Sequence, residues 1–105
     1  VRHPEDWLED VLGLVEHVPA GHVTTYGAIA AAVGRYGPRR VGAVMAEHGA
    51  GVPWWRVVRA DGSLPPSHDH RADEQYRREH TPRRANGRID MPRAFWDPLD
   101  AGAPR

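Results

Sequence analysis

The residue types best equipped for chemistry cluster in Val52-Pro53-Trp54-Trp55-Arg56-Val57-Val58. Two adjacent tryptophans offer wide apolar rings with one N–H donor each, costly to leave in water and in need of partners. The arginine beside them adds a planar guanidinium suited to bidentate phosphate contacts and to stacking on bases. Bond-breaking chemistry has far less to work with. The chain of 105 residues contains no cysteine, so it has no thiol nucleophile, no disulfide and no thiolate metal site. Ser67 carries a hydroxyl, but no base or oxyanion arrangement is visible near it. His68-Asp69-His70 sets two imidazoles at i, i+2 in a loop without a further ligand cluster, too little for a metal centre. No catalytic residue, metal or cofactor is expected.

Formal net charge is zero, yet the charges are segregated. Residues 1–34 hold one Arg against five acids, residues 35–60 hold five Arg against the single acid Glu47, and the remainder carries eight of each sign. The positive segment surrounds the tryptophan pair and suits local phosphate contact, although a solvated helix face would carry the same charges. No apolar run approaches membrane-spanning length and no secretory signal is visible, so an intracellular protein with no membrane partner is expected.

The elements that must position these residues are legible from periodicity and punctuation. The length suits one domain, residues 1–105, with a loose tail from about residue 98. His3-Pro4-Glu5-Asp6 opens a helix whose Trp7, Val11, Val15 and Val18 share a stripe, flanked by Leu8 and Leu12. Pro19-Ala20-Gly21 stops it. Thr24 or Thr25 is a natural N-cap for a helix from Tyr26 to Val33, which Gly34 ends. After Arg35-Tyr36-Gly37, Pro38 or Arg39 begins a helix with Val41, Val44, Met45 and His48 at helical spacing. Two short helices across a tight turn make a helix-turn-helix pattern. Trp54 to Arg59 then reads as a strand, Asp61-Gly62 as a hairpin turn and Ser63-Leu64 as the return. The expected fold is mainly α, a winged helix-turn-helix domain with a small β-hairpin wing. Ala72 to His80 reads as a mostly exposed helix, and Ile89 to Asp97 supplies late apolar anchors.

Three of these segments, "VPAGHVTTYGAIAAAVG", "RRVGAVM" and "VPWWRVVRADGSL", occur in the order and spacing of one family. Over roughly residues 5–64 the chain resembles the DNA-binding domain of the O6-alkylguanine-DNA alkyltransferases. Where that family reads Pro-Cys-His-Arg-Val, this chain reads Pro53-Trp54-Trp55-Arg56-Val57. Trp at the cysteine position marks the alkyltransferase-like proteins, whose tail "RIDMPRAFWDP" also resembles. The resemblance implies that Tyr26 presses on the phosphate beside a lesion and helps to rotate the nucleotide out. It implies that Arg39 fills the vacated stack and that Gly42 and Ala43 allow close approach to the minor groove. Its implied lesion pocket comprises Tyr26, Trp54, Trp55, Val57, Ser67 and His68. Its implied DNA-binding residues are Thr25, Tyr26, Arg39, Arg40, Gly42, Ala43 and Arg56. Trp54 cannot accept an alkyl group, Trp55 replaces the general base, and Glu79, near the place of the orienting carboxylate, is left a structural role. Two departures stand out: the commoner subfamily motif has His after the Trp, and the loop at Pro65-Pro66-Ser67-His68 lacks an arginine, with Arg71 the nearest substitute.

The implied function is that of a non-enzymatic sensor that flips O6-alkylguanine in double-stranded DNA through the minor groove and flags it for nucleotide-excision repair proteins. A monomer in the cytoplasm, associated with the nucleoid, is expected. Two other readings compete. A winged-helix regulator would read an operator, but Val41, Gly42, Ala43 and Val44 offer its second helix no polar base-reading side chain. A hydrolase using Ser67 would need the base and oxyanion donors that the sequence does not display.

Overall fold

The structure, a computed structural model, describes residues 4–64 and 69–100. Helix α1, Pro4–His17, turns Trp7, Val11, Leu14 and Val15 to one side, and all four are buried. Burying such side chains is worth roughly 1.5–3 kcal/mol each, so this stripe sets where the helix lies. The chain reverses through Gly21, at φ 85°, into a two-residue strand β1, Thr24–Thr25.

Thr25 is extended and its side-chain oxygen accepts the Ala28 N–H at 3.0 Å, which starts helix α2, Tyr26–Val33. Gly34, left-handed at φ 82°, ends it by donating to the Ala30 carbonyl at 2.8 Å. In the turn that follows, Tyr36 meets Trp7 edge-on with ring centroids 4.8 Å apart, pinning the turn to α1. Pro38 then opens helix α3, Pro38–His48, where its missing N–H costs nothing. Val41 and Val44 point inward and join Ile29, Val11, Val15, Val52 and Val57 in one core cluster. The fold is mainly helical, a helix-turn-helix on a small core with one two-strand sheet, in keeping with the winged arrangement expected from sequence.

The strands themselves differ from expectation. Trp54–Arg56 is a 3-10 turn, and only Val57–Val58 (β2) is extended. β2 pairs in parallel with β1, Thr24 opposite Val57 and Thr25 opposite Val58, so the sheet is not a hairpin. The chain does reverse at Arg59–Ser63: Gly62 donates to the Arg59 carbonyl at 2.8 Å and Arg59 to the Ser63 carbonyl at 2.9 Å. The return, however, is captured from elsewhere. Gly62 sits at φ 85° and its carbonyl accepts the Ile89 N–H at 3.1 Å. A Cβ on Gly62 would lie 2.6 Å from the Ile89 oxygen, so only glycine permits this seam.

A second cluster, Val23, Val58, Ala72, Tyr76, Ile89 and Ala94, completes the interior. Its helix α4, Asp69–Glu79, begins three residues before the expected start, and its Ala72 and Tyr76 are buried rather than exposed. Helix α5, Met91–Ala94, leads into a segment bridged in parallel to Val23, whose N–H and C=O bond to Ala94 and Trp96. Pro98 is fully buried, so packing reaches the point where a loose tail was expected to begin. No helix among the described residues is long and apolar enough to cross a membrane.

Candidate nucleic-acid interface

Helix α3 divides cleanly into two faces. Val41 and Val44 are in the core, whereas Arg39, Gly42, Ala43 and Ala46, at i, i+3, i+4 and i+7, form the opposite stripe. Arg39 and Ala43 are exposed and Gly42 is half-buried. A Cβ built on Gly42 would meet nothing within 4 Å, so the fold itself does not demand glycine there. Arg40 is also exposed, but its guanidinium rests 4.9 Å from the centre of the Tyr36 ring, with Arg35 at 5.4 Å from the same ring. Three arginines therefore surround the start of α3.

Tyr26 opens α2, which packs against α3, and lies half-buried against the first core cluster. Burial raises its phenol above the ordinary range, and the nearby charge of Arg59 offsets only part of that rise. The hydroxyl consequently stays protonated and can donate a hydrogen bond to an anion. Thr25 is half-buried with its oxygen spent on the helix cap, so its contribution here is to aim Tyr26.

The tryptophan pair is held quite differently. Trp54 and Trp55 meet edge-on with centroids 5.6 Å apart, both half-buried against the second cluster. The Trp55 indole N–H donates to Glu79 at 3.0 Å, and the Trp55 carbonyl accepts the Tyr76 hydroxyl at 2.5 Å. Arg56 grips the same carboxylate through Nε at 3.1 Å and Nη2 at 2.5 Å, and donates through Nη1 to the Val18 carbonyl at 3.0 Å. The Gly21 N–H adds a fourth donor at 3.2 Å. Burial alone would push the Glu79 carboxyl up; the Arg56, Gly21 and Trp55 donors and the Arg56 charge outweigh it and hold Glu79 below the usual range. This carboxylate also explains why Trp54–Arg56 is not a strand. Successive residues of a strand face opposite sides, whereas Trp55 and Arg56 must reach one acceptor.

Two sequence-derived site residues, Arg56 and Val57, are turned toward the interior. Arg56, expected to bind DNA, turns inward onto Glu79 with its side chain only 16% exposed, leaving no donor fork for a phosphate. Val57, expected in the lesion pocket, is completely buried in the core and has no surface to offer a base. Ser67 and His68 lie outside the described residues. Tyr26 and the tryptophan pair leave opposite ends of the two-residue sheet, Tyr26 after β1 and the tryptophans before β2. A cavity of about 420 Å³ lies between α4 and the 83–89 segment, lined by Ser63, Leu64, Asp73, Tyr76, Arg83 and Arg88 among others, and among the described residues none of those expected in the lesion pocket lines it. Arg59, exposed beside Tyr26, lies within the third motif but was given no role from sequence, because only the parallel register brings it to the same sheet end as Tyr26.

The family described as the DNA-binding domain of 6-O-methylguanine DNA methyltransferase matches residues 6–81, and the chain belongs to it. Among individual relatives, a "DNA base-flipping protein" of Vibrio parahaemolyticus is 32% identical over 63 residues, which are 57% of this chain and 63% of that protein, so somewhat under two thirds of the relative's length is matched. The fold is similar to that of S. pombe Atl1 in complex with damaged DNA containing O6-carboxymethylguanine, with a TM-score of 0.76 at 26% identity over 92% of this chain and all of that one. A variant of M. tuberculosis O6-methylguanine methyltransferase gives 0.62 at 26% identity, over 81% of this chain and 55% of that protein.

Proposed function

We propose that this protein is a non-enzymatic DNA-damage sensor that binds O6-alkylguanine in duplex DNA through the minor groove, flips it out, and marks the site for nucleotide-excision repair. The observation that carries this reading is the outward stripe of α3, one exposed arginine followed by Gly42, where a Cβ would meet nothing within 4 Å, and by the exposed Ala43 and Ala46. Small residues let a helix backbone come close to the floor of a narrow groove, and a planar guanidinium at its head can enter the stack and hydrogen-bond an orphaned base. Tyr26, a neutral O–H donor on the neighbouring helix, suits the phosphate beside the rotated nucleotide. That S. pombe Atl1 is bound to a carboxymethylated guanine lesion, and that the Vibrio relative is named for base flipping, supports the same activity here.

Transfer of the alkyl group would need a nucleophile activated by a base. The chain has tryptophan in both positions, and the carboxylate that would orient a base is engaged by an indole and a guanidinium. The protein therefore binds and does not repair. Handing the lesion to excision-repair proteins follows as the route by which binding becomes useful. The test is binding to a duplex with one O6-methylguanine against the same duplex with guanine, followed by mass spectrometry of the recovered oligonucleotide and protein. Preferential binding with the methyl group still on the base is expected. A dealkylated guanine, or a protein heavier by one methyl, would end this reading.

A further inference from the structure

We infer that Arg59 is a second phosphate-binding residue, forming with Tyr26 one corner that grips the DNA backbone at the end of the two-strand sheet. The inference rests on the DNA-binding reading above and adds a residue that lies outside α3 and to which the motif resemblance assigned no role. Because β1 and β2 run parallel with Thr25 opposite Val58, the next residue of each strand, Tyr26 and Arg59, emerges at the same end of the sheet. The Arg59 backbone is fixed on both sides, its N–H donating to Ser63 and its carbonyl accepting from Gly62, while its side chain stands exposed.

That cation feels the charge of Asp61 but closes no ion pair among the described residues. The nearest acidic field is that of Asp61, whose Oδ1 accepts from the Ser63 N–H at 3.0 Å and hydroxyl at 2.6 Å and whose Oδ2 faces Arg88 at 3.4 Å. The other arginine of this stretch, Arg56, is consumed by Glu79. What remains at the sheet end is one exposed guanidinium next to one neutral phenol. That pair complements a phosphodiester: a single negative charge with two oxygens, one for the fork and one for the O–H. Such a contact carries no sequence or lesion information, so it strengthens binding to damaged and intact duplex alike.

Fluorescence anisotropy on a duplex with a single O6-methylguanine and on its unmodified counterpart, across a range of salt concentrations, tests this directly. Each phosphate neutralised contributes about 0.9 to the slope of log K against log salt. Arg59→Gln should make the slope shallower by about one on both duplexes and leave their affinity ratio unchanged, while Arg59→Lys restores the slope. Arg93→Gln, which removes one charge from an exposed arginine on α5, should leave the slope as it is. An unchanged slope in Arg59→Gln, with lesion preference intact, overturns the role of Arg59 and leaves the damage-sensor reading standing. A wild-type protein that binds neither duplex overturns both. Arg59 is exposed, so folding is not at stake, and far-UV circular dichroism verifies it.

Discussion

Arg39 and Glu79 are the two residues whose removal should speak most clearly, and they speak about different things. Arg39 is exposed and no ion pair or hydrogen bond among the described residues holds it. Arg39→Ala should therefore leave stability alone while weakening lesion binding by about 1–3 kcal/mol, the range of a lost stacking contact. Equal weakening on lesion and intact DNA would reduce it to a phosphate contact. Glu79 concerns the fold. Its folded pKa lies below the unfolded one, so its contribution is complete above the ordinary glutamate range and disappears as pH falls through the lower folded value. Glu79→Gln should lose stability at pH 7, by up to about 3–5 kcal/mol if the Arg56 pair is fully broken. The gap to wild type should close on acidification, measured as urea midpoints from pH 7 to pH 2. A gap independent of pH would show that the charge is not what matters. The placement of Tyr26 and Arg39 in the first turns of α2 and α3 was legible because their motifs are contiguous. The inward turn of Arg56 was not, because its partner lies 23 positions away and no local pattern announces a shared carboxylate.

At the scale of elements, α2 and α3 were readable almost to the residue. Their boundaries are written in local chemistry: a threonine oxygen for the cap, a glycine able to take φ 82°, a proline at the first turn. The 3-10 turn and the sheet were not, since Trp-Trp-Arg-Val-Val has strand propensity that Glu79 overrides for its first three residues. Nor could two strands of two residues each, separated by both helices, announce that they pair. Helix α3 also offers a separation of stability from binding. Gly42→Ala meets no neighbour within 4 Å and replaces the poorer helix former, so the protein should become more stable by about 0.5–1 kcal/mol. If the stripe docks in a groove, the added methyl should weaken duplex binding at the same time. Thermal melts and anisotropy on one preparation would show both, and a variant that is stabilised yet binds as before would remove α3 from the interface.

For the molecule as a whole, the parallel pairing of Thr24 with Val57, 33 positions apart, has a consequence for the order of events in folding. No turn can nucleate that ladder. Closing a flexible chain of that length is entropically costly, and the cost falls only once α2 and α3 have already drawn the strand ends together. The rate-limiting barrier should thus be crossed with the three N-terminal helices in contact and the sheet still open. Val41→Ala, in the helix core, should slow refolding, whereas Val58→Ala, in β2, should chiefly speed unfolding. Chevron plots of the two variants would decide it, and a Val58→Ala protein that refolds slowly in proportion to its lost stability would refute the order. The tryptophans precede β2 directly, so the surface proposed to meet a lesion is assembled late, after the helix proposed to enter the groove is already in place.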